Sequence, residues 1–282
     1  MEIKAYGKIN LSLDVTGVLD NGYHSVAMVM QSVELCDKVF IEKSDTSKIY
    51  VTADNPQIPD GADNLAYKAA KMMVDKFNIS HGFSIKIEKN IPLAGGMAGG
   101  STDAAAVIRG INELCRLKKS TEELMDLGVK LGADIPFCIQ KKPAFAEGIG
   151  EKLTHITGLS HDTYILLVNP NILISTKEIY NLIDTKKCYN SVDNDALISA
   201  LKEDNLEVAV ANMKNVMQTV TAEICPEINS IIDSLYKNGA KAALMSGSGA
   251  TCFGVFTDKE DALSAQRAFD NNYFTAITNP IG

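Results

Sequence analysis

The sequence runs to 282 residues, too long for one small core, so two compact lobes are expected. Its 46% hydrophobic and 22% charged residues are those of an ordinary globular chain and exclude wholesale disorder. A net charge of −8 without a Lys/Arg-rich run argues against nucleic acid as the principal partner, while leaving room for a nucleotide held by backbone amides.

The cysteines at 36, 115, 138, 188, 225 and 252 form no C-x-x-C pair, which reads as reduced thiols rather than a disulfide frame or zinc site. The N-terminal residues are expected to form a strand rather than a signal peptide. No apolar run approaches the roughly 18 residues of a membrane span, so a cytoplasmic protein without a membrane partner is expected.

Residues 1–15 alternate as a strand, with Ile3, Ala5 and Gly7 against Lys4, Tyr6 and Lys8, then Leu11, Leu13 and Val15. Lys8 and Asn10 share one parity, which ordinarily marks the wet face of a half-buried strand. Asp20-Asn21-Gly22 reads as a turn leading to Tyr23 and His24, and a lone histidine there is ordinarily structural or on the surface. Strands are expected over 33–43 and 48–53 and a loop over 56–63. A helix is expected from Asn64, with Leu65, Ala69, Met72, Met73 and Phe77 on one face. Phe83 to Glu88 alternates cleanly as a strand.

That strand delivers the chain into the most informative stretch, Pro92-Leu93-Ala94-Gly95-Gly96-Met97-Ala98-Gly99-Gly100-Ser101-Thr102, which runs on into an alanine-rich helix to about Arg116. Glycines let backbone amides turn toward a ligand at positive φ. A helix N-terminus adds unpaired N–H donors and a positive dipole end, so the combination favours phosphate over a plain glycine turn. Ser101, Thr102 and Asp103 suit an N-cap, and the hydroxyls could equally touch phosphate oxygens or magnesium. No Lys precedes Ser101 and the spacing is not G-x-G-x-x-G, so neither of the familiar phosphate loops is present.

Ser120-Thr121-Glu122-Glu123 is a capping box for a helix extending to Gly132. Asp134 follows, among apolar residues just ahead of Pro136. It reads as an acid at a helix–strand junction, bonded to local backbone or facing a cationic partner, because a desolvated acid is costly to leave unpaired. A lobe boundary falls near 153–162. The apolar strand 164–168 should be central in its sheet, and a short helix carrying Tyr180 comes next. Helices are expected near 194–202, 206–220, 226–237 and 258–270. Strands 242–245 and 251–256 are joined by Ser246-Gly247-Ser248-Gly249, either a plain hairpin or a small-residue surface packed on the first glycine loop, and a short strand ends the chain.

Together, Lys8-Ile9-Asn10-Leu11, the 92–106 loop and Leu244-Met245-Ser246-Gly247-Ser248-Gly249-Ala250 resemble the three motifs of the GHMP kinase superfamily. Gly22-Tyr23-His24, the segment 131–137 around Asp134 and Ala146 to Glu151 narrow the resemblance to the branch acting on cytidine diphosphate-linked methylerythritol. The similarity covers essentially the whole chain. It implies an α+β fold of two lobes, ribosomal-S5-domain-2-like at the N-terminus and ferredoxin-like at the C-terminus, here spanning 1–155 and 160–282.

The resemblance further implies ATP-dependent phosphorylation of the 2-hydroxyl of the methylerythritol moiety in non-mevalonate isoprenoid synthesis. Asp134 would be the general base and Lys8 its charged partner. The glycine loop would hold the ATP phosphates, Mg2+ would arrive with ATP and could touch Ser101, and Asn64 and Leu65 would border the adenosine. Asn10 would contact the methylerythritol end, while Tyr23 and Tyr180 would stack on cytosine and His24 would bond its edge. Departures from the family pattern are Ala250 for a frequent proline, Thr102 for a second serine and Tyr180 for a common phenylalanine. Two other readings are a kinase of the same superfamily acting on homoserine, mevalonate or a sugar, which would lack the Tyr23-His24 pair and the Asp134 segment, and a non-catalytic nucleotide sensor, which would have lost Lys8 or Asp134. All of these residues are present. Assembly as a monomer or a homodimer is left open.

Overall fold

The computed structural model describes residues 1–20, 22–187, 189 and 192–282. Asn21 of the expected turn and Cys188 lie outside the described residues. The first half of the chain forms β1 (Glu2–Val18), β2 (His24–Ser44), β3 (Ile49–Ala53), α1 (Leu65–Phe77), β4 (Gly82–Glu88), α2 (Gly99–Leu114), α3 (Thr121–Gly128) and α4 (Ile135–Gln140). There follow β5 (Ala144–Glu147), β6 (Lys152–His155), β7 (Tyr164–Asn169), α5 (Thr176–Lys186), α6 (Asn194–Lys202), α7 (Leu206–Ala211) and β8 (Lys214–Asn215). The chain closes with α8 (Met217–Ile224), α9 (Glu227–Lys237), β9 (Ala242–Met245), β10 (Cys252–Phe256), α10 (Lys259–Gln266), β11 (Phe274–Thr278) and β12 (Pro280–Ile281).

Two compact units emerge, each drawn from three stretches: residues 1–7, 36–91 and 98–141 in the first, and 8–35, 92–97 and 142–282 in the second. In the first unit β4 pairs antiparallel with the end of β2, Lys38 opposite Glu88 and Ser44 opposite Gly82, while β3 runs parallel to β4. Ile41, Phe83, Ile85 and Ile87 supply the buried sheet face. The helices α1 and α2 pack on one another, and their buried alanines (66, 69, 70 and 104–106) allow a close approach. Asn64 starts α1 as its N-cap, its side chain accepting from the Ala66 amide at 2.8 Å. The capping box is present at α3, which ends at Gly128 rather than Gly132.

In the second unit a four-stranded antiparallel sheet has the order β11-β7-β10-β9, which makes β7 central as its continuous apolarity predicts. Residues of β1 and β2 in this unit pair with β8, β12 and β5, and β6 pairs with β5.

Four further expectations are corrected. The strand β2 begins at His24, not 33, because burial on both faces from Met28 to Val33 erases the period-2 signal. The expected helix 206–220 is two helices, interrupted where Ser12 and Leu13 of β1 pair with Lys214 and Asn215. Asp134 leads into helix α4, with Pro136 in its first turn, rather than into a strand. The N-cap of α2 is Ala98 in the left-handed region (φ 60°), not Ser101, Thr102 or Asp103, all of which sit inside the helix. No disulfide joins the described cysteines. No helix among the described residues is long and apolar enough to cross a membrane.

Candidate functional site

At Lys8 and Asn10 the polar parity of β1 does not face water: Lys8 is 5% exposed and Asn10 is fully buried. Lys8 Nζ donates to Asn10 Oδ1 at 2.6 Å and to the Gly96 carbonyl at 2.7 Å, and its amide donates to the Met97 carbonyl at 3.2 Å. The first motif thus grips the first half of the glycine loop from within the second unit.

The turn 246–249 grips the same half. Ser246 Oγ donates to the Gly96 carbonyl at 3.0 Å and accepts from the Asn10 amide at 3.3 Å. The Thr251 amide donates to the Gly95 carbonyl at 3.3 Å, and Asn169 Nδ2 donates to Thr251 Oγ1 at 2.8 Å. Close backbone approach forces glycine at 96, where φ is +74° and a Cβ would lie 2.0 Å from the Ser246 carbonyl oxygen. The turn is therefore the small-residue packing surface of the two readings offered above, not a plain hairpin. It is fixed from behind by Asn215, whose Nδ2 donates to the Met245 and Gly247 carbonyls at 2.8 Å each.

A second group of the same unit gathers residues from β2 and α5. His24 stacks on Tyr180 with centroids 4.4 Å apart and planes at 22°. His24 Nε2 and Asp184 Oδ1 are 2.7 Å apart, and Tyr189 Oη donates to the same carboxylate at 2.9 Å. The His24 hydrogen bond, then that of Tyr189, holds the Asp184 carboxyl below the usual carboxylate range. The structure joins His24 and Tyr180 directly, while Tyr23 beside them is 61% exposed.

The remaining candidates belong to the first unit. Asp134 is half-buried at the start of α4, and its side chain caps no amide there. Asn64 is buried, with Nδ2 donating to the Pro59 carbonyl at 3.0 Å, and Leu65 lies against Gly100. Thr102 spends its hydroxyl on the Tyr6 carbonyl at 2.7 Å. Two non-glycine residues of the loop, Ala94 (φ 46°) and Ala98 (φ 60°), hold the left-handed conformation. Local strain of that kind clusters where a loop is shaped for a ligand. Among the described residues no group of three or more His, Cys, Asp or Glu side chains could hold a metal ion.

Sequence reasoning missed Asp184, Asn169, Asn215 and a buried cluster of Lys89, Asp37 and Asp103. Asp184 alone left a local signal, four residues after Tyr180 on one helix and so on the same face.

Family profiles for the GHMP kinases N terminal domain and the GHMP kinases C terminal domain match residues 64–142 and 197–275. A 4-diphosphocytidyl-2-C-methyl-D-erythritol kinase of Clostridioides difficile (strain 630) is 45% identical over 273 residues, 97% of this chain and 92% of its own length. The kinase of that description from Acetivibrio thermocellus is 44% identical over 272 residues, covering 96% and 95%. The chain belongs to the 4-diphosphocytidyl-2-C-methyl-D-erythritol kinase family of GHMP kinases.

A crystal structure of a 4-(cytidine 5'-diphospho)-2C-methyl-D-erythritol kinase superposes with a TM-score of 0.82 at 26% identity, covering 99% of both chains. A homoserine kinase from Cytophaga hutchinsonii superposes at 0.77 with 16% identity, which shows the shared GHMP fold alone. Like the rest of the family, this GHMP kinase is an ATP-dependent small-molecule kinase with a mixed α/β architecture built on two sheets.

Proposed function

We propose that the chain transfers the γ-phosphoryl group of MgATP to the 2-hydroxyl of 4-diphosphocytidyl-2-C-methyl-D-erythritol, in isoprenoid precursor synthesis by the non-mevalonate route in the cytoplasm. The observation that carries this reading is the buried Lys8 ammonium, bonded at 2.7 Å to the carbonyl of Gly96 in the glycine loop. The full-length relatives at 45% and 44% identity supply the substrate.

In this reading residues 92–102 hold the ATP phosphates through backbone amides and the N-terminus of α2, and Ser101 would touch the magnesium carried with ATP. Asn64 and Leu65 border the adenosine. Asp134 accepts the proton of the 2-hydroxyl as its oxygen bonds to the γ-phosphorus, the bond to the β,γ-bridging oxygen breaks, and ADP leaves with that electron pair. Lys8 stabilises the charge that builds on the transferred group, which is most of what phosphoryl transfer asks of a protein. Asn10 contacts the methylerythritol end. Tyr23 and Tyr180 take the cytosine between them and His24 bonds its polar edge, with Asp184 orienting the imidazole. Residues 1–155 act as the phosphate and catalytic lobe and 160–282 as the lobe completing the substrate pocket.

The test is a coupled assay of ADP release with the cytidine-linked substrate, mevalonate and homoserine. Release confined to the first supports both the reaction and the pocket. Release with another alcohol would keep the kinase and overturn the substrate, and nucleotide binding without any release would favour a non-catalytic sensor.

A further inference from the structure

In the first unit, at the residues that flank the glycine loop in sequence, lies an ion cluster that the proposed chemistry does not use. Lys89 is buried, its side chain 5% exposed, between Asp37 and Asp103, themselves 0% and 6% exposed. Its ammonium pairs with Asp37 Oδ2 and donates to Asp103 Oδ2 at 2.6 Å. The other oxygen of Asp37 accepts from the Asn90 and Ile91 amides at 2.6 and 2.8 Å. Asp103 Oδ1 is buried without a hydrogen-bond partner. A Cβ on Gly99 would sit 3.5 Å from Lys89 Nζ, so the ammonium lies directly beside the first turn of α2.

The positions in sequence give this cluster its meaning. Lys89, Asn90 and Ile91 are the last residues before the loop, and Asp103 is the first after it. One lysine therefore ties the two ends of residues 92–102 together, and Asp37 anchors that tie to β2. We infer that the Asp37–Lys89–Asp103 clasp sets the separation of the loop's ends and makes Asp103 a positioning residue for the nucleotide phosphates. The inference rests on the reading that this loop holds ATP. Buried charges severed from their partners are costly, so the clasp holds one geometry rather than several. A loop whose ends are fixed presents its amides already aimed, and displacing them by about 1 Å is enough to lose a large part of binding and rate.

The experiment compares Asp103→Ala, which cuts the exit tie, with Asp103→Asn, whose side-chain oxygen can still accept from Lys89. Binding of MgAMPPNP is followed by titration calorimetry, KM for the cytidine substrate by the coupled assay, and folding by thermal melts. The expected result for Asp103→Ala is a dissociation constant raised about tenfold or more with KM for the alcohol within about twofold, and for Asp103→Asn recovery of most of the lost affinity. A folded Asp103→Ala binding MgAMPPNP like wild type, or an equal rise in both constants, would overturn the clasp while leaving the kinase reading intact. Absence of MgAMPPNP binding by wild type would overturn both. If Asp103→Ala fails to fold, Asp37→Asn carries the test. Its amide sets a donor against either Lys89 or the Asn90 and Ile91 amides, and the same selective loss of nucleotide affinity is expected.

Discussion

At the scale of single residues, Lys8 carries the most information. An ammonium at 5% exposure has given up nearly all its hydration, a loss worth several kcal/mol unless polar partners replace it. Two of those partners, Asn10 Oδ1 and the Gly96 carbonyl, are neutral dipoles belonging to the first motif and the glycine loop. Those two bonds hold the ammonium fixed against the glycine loop, which suits stabilisation of charge that appears only during transfer. Lys8→Met and Asp134→Asn should each lower kcat by roughly 10²–10⁴-fold. Nucleotide affinity should change far less for Asp134→Asn than turnover does. Turnover by Asp134→Asn within a few-fold of wild type would remove Asp134 from the role of base.

Among elements, the decisive contact is between residues 92–97 of the glycine loop and the turn 246–249, both within the second unit. Gly96 stands where φ is +74° and a methyl would meet a backbone oxygen at 2.0 Å, so Gly96→Ala combines backbone strain with a clash that only movement of the turn relieves. Gly61 is the natural control, with φ +76° and nothing within 4 Å of a built Cβ. Gly61→Ala should cost only the left-handed strain, about 1–2 kcal/mol, and leave nucleotide affinity intact. Gly96→Ala should cost more in thermal melts and lose nucleotide binding as well, because Ser246 and Lys8 both bond the Gly96 carbonyl. Equal costs in the two variants would mean that the turn yields freely.

The sequence makes these elements legible to different degrees, and the difference follows the range of the interactions. Asn64 as the start of α1 and the capping box of Ser120 and Glu123 are bonds spanning two or three residues, so they can be read directly. The glycine motifs are legible because close backbone approach leaves few residue types available. What stays hidden is set from far along the chain. The break at 212–216 answers to β1, some two hundred positions earlier. The burial of Lys8 and Asn10 depends on residues 96 and 246. Asp37 and Lys89 carry no local signal and Asp103 reads as an N-cap candidate until the fold brings the three together. Ala98 as the N-cap of α2 has no sequence signal, since alanine is a poor choice for a left-handed position.

For the whole molecule, the same cluster ties stability to pH. Two carboxylates share one ammonium, and burial, with Asp37 nearby, raises the Asp103 carboxyl from its ordinary 3.8 to about 7 despite the opposing pull of Lys89. Burial works against the charge on Lys89, but Asp103 and Asp37 outweigh it and raise its pKa, so the ammonium persists throughout this range. Between pH 4 and 7, then, the folded chain retains a proton that the unfolded chain has released. Stability falls as pH rises wherever the native state binds more protons, so this group's contribution is fully present below about 4 and lost by about 7. Other carboxylates push the opposite way: Glu122 and Glu123 at the start of α3 are held below their ordinary values by local hydrogen bonds, which favours folding as pH rises. The comparison that isolates the cluster is therefore wild type against Asp103→Asn, which carries no titrating group at 103. The melting temperature of Asp103→Asn relative to wild type should climb from pH 4.5 to 7.5 and then level off, the neutral amide having removed a charge that the fold tolerates poorly. Parallel profiles across that range would mean that Asp103 is ionised throughout and that its shared proton plays no part in the stability of the fold.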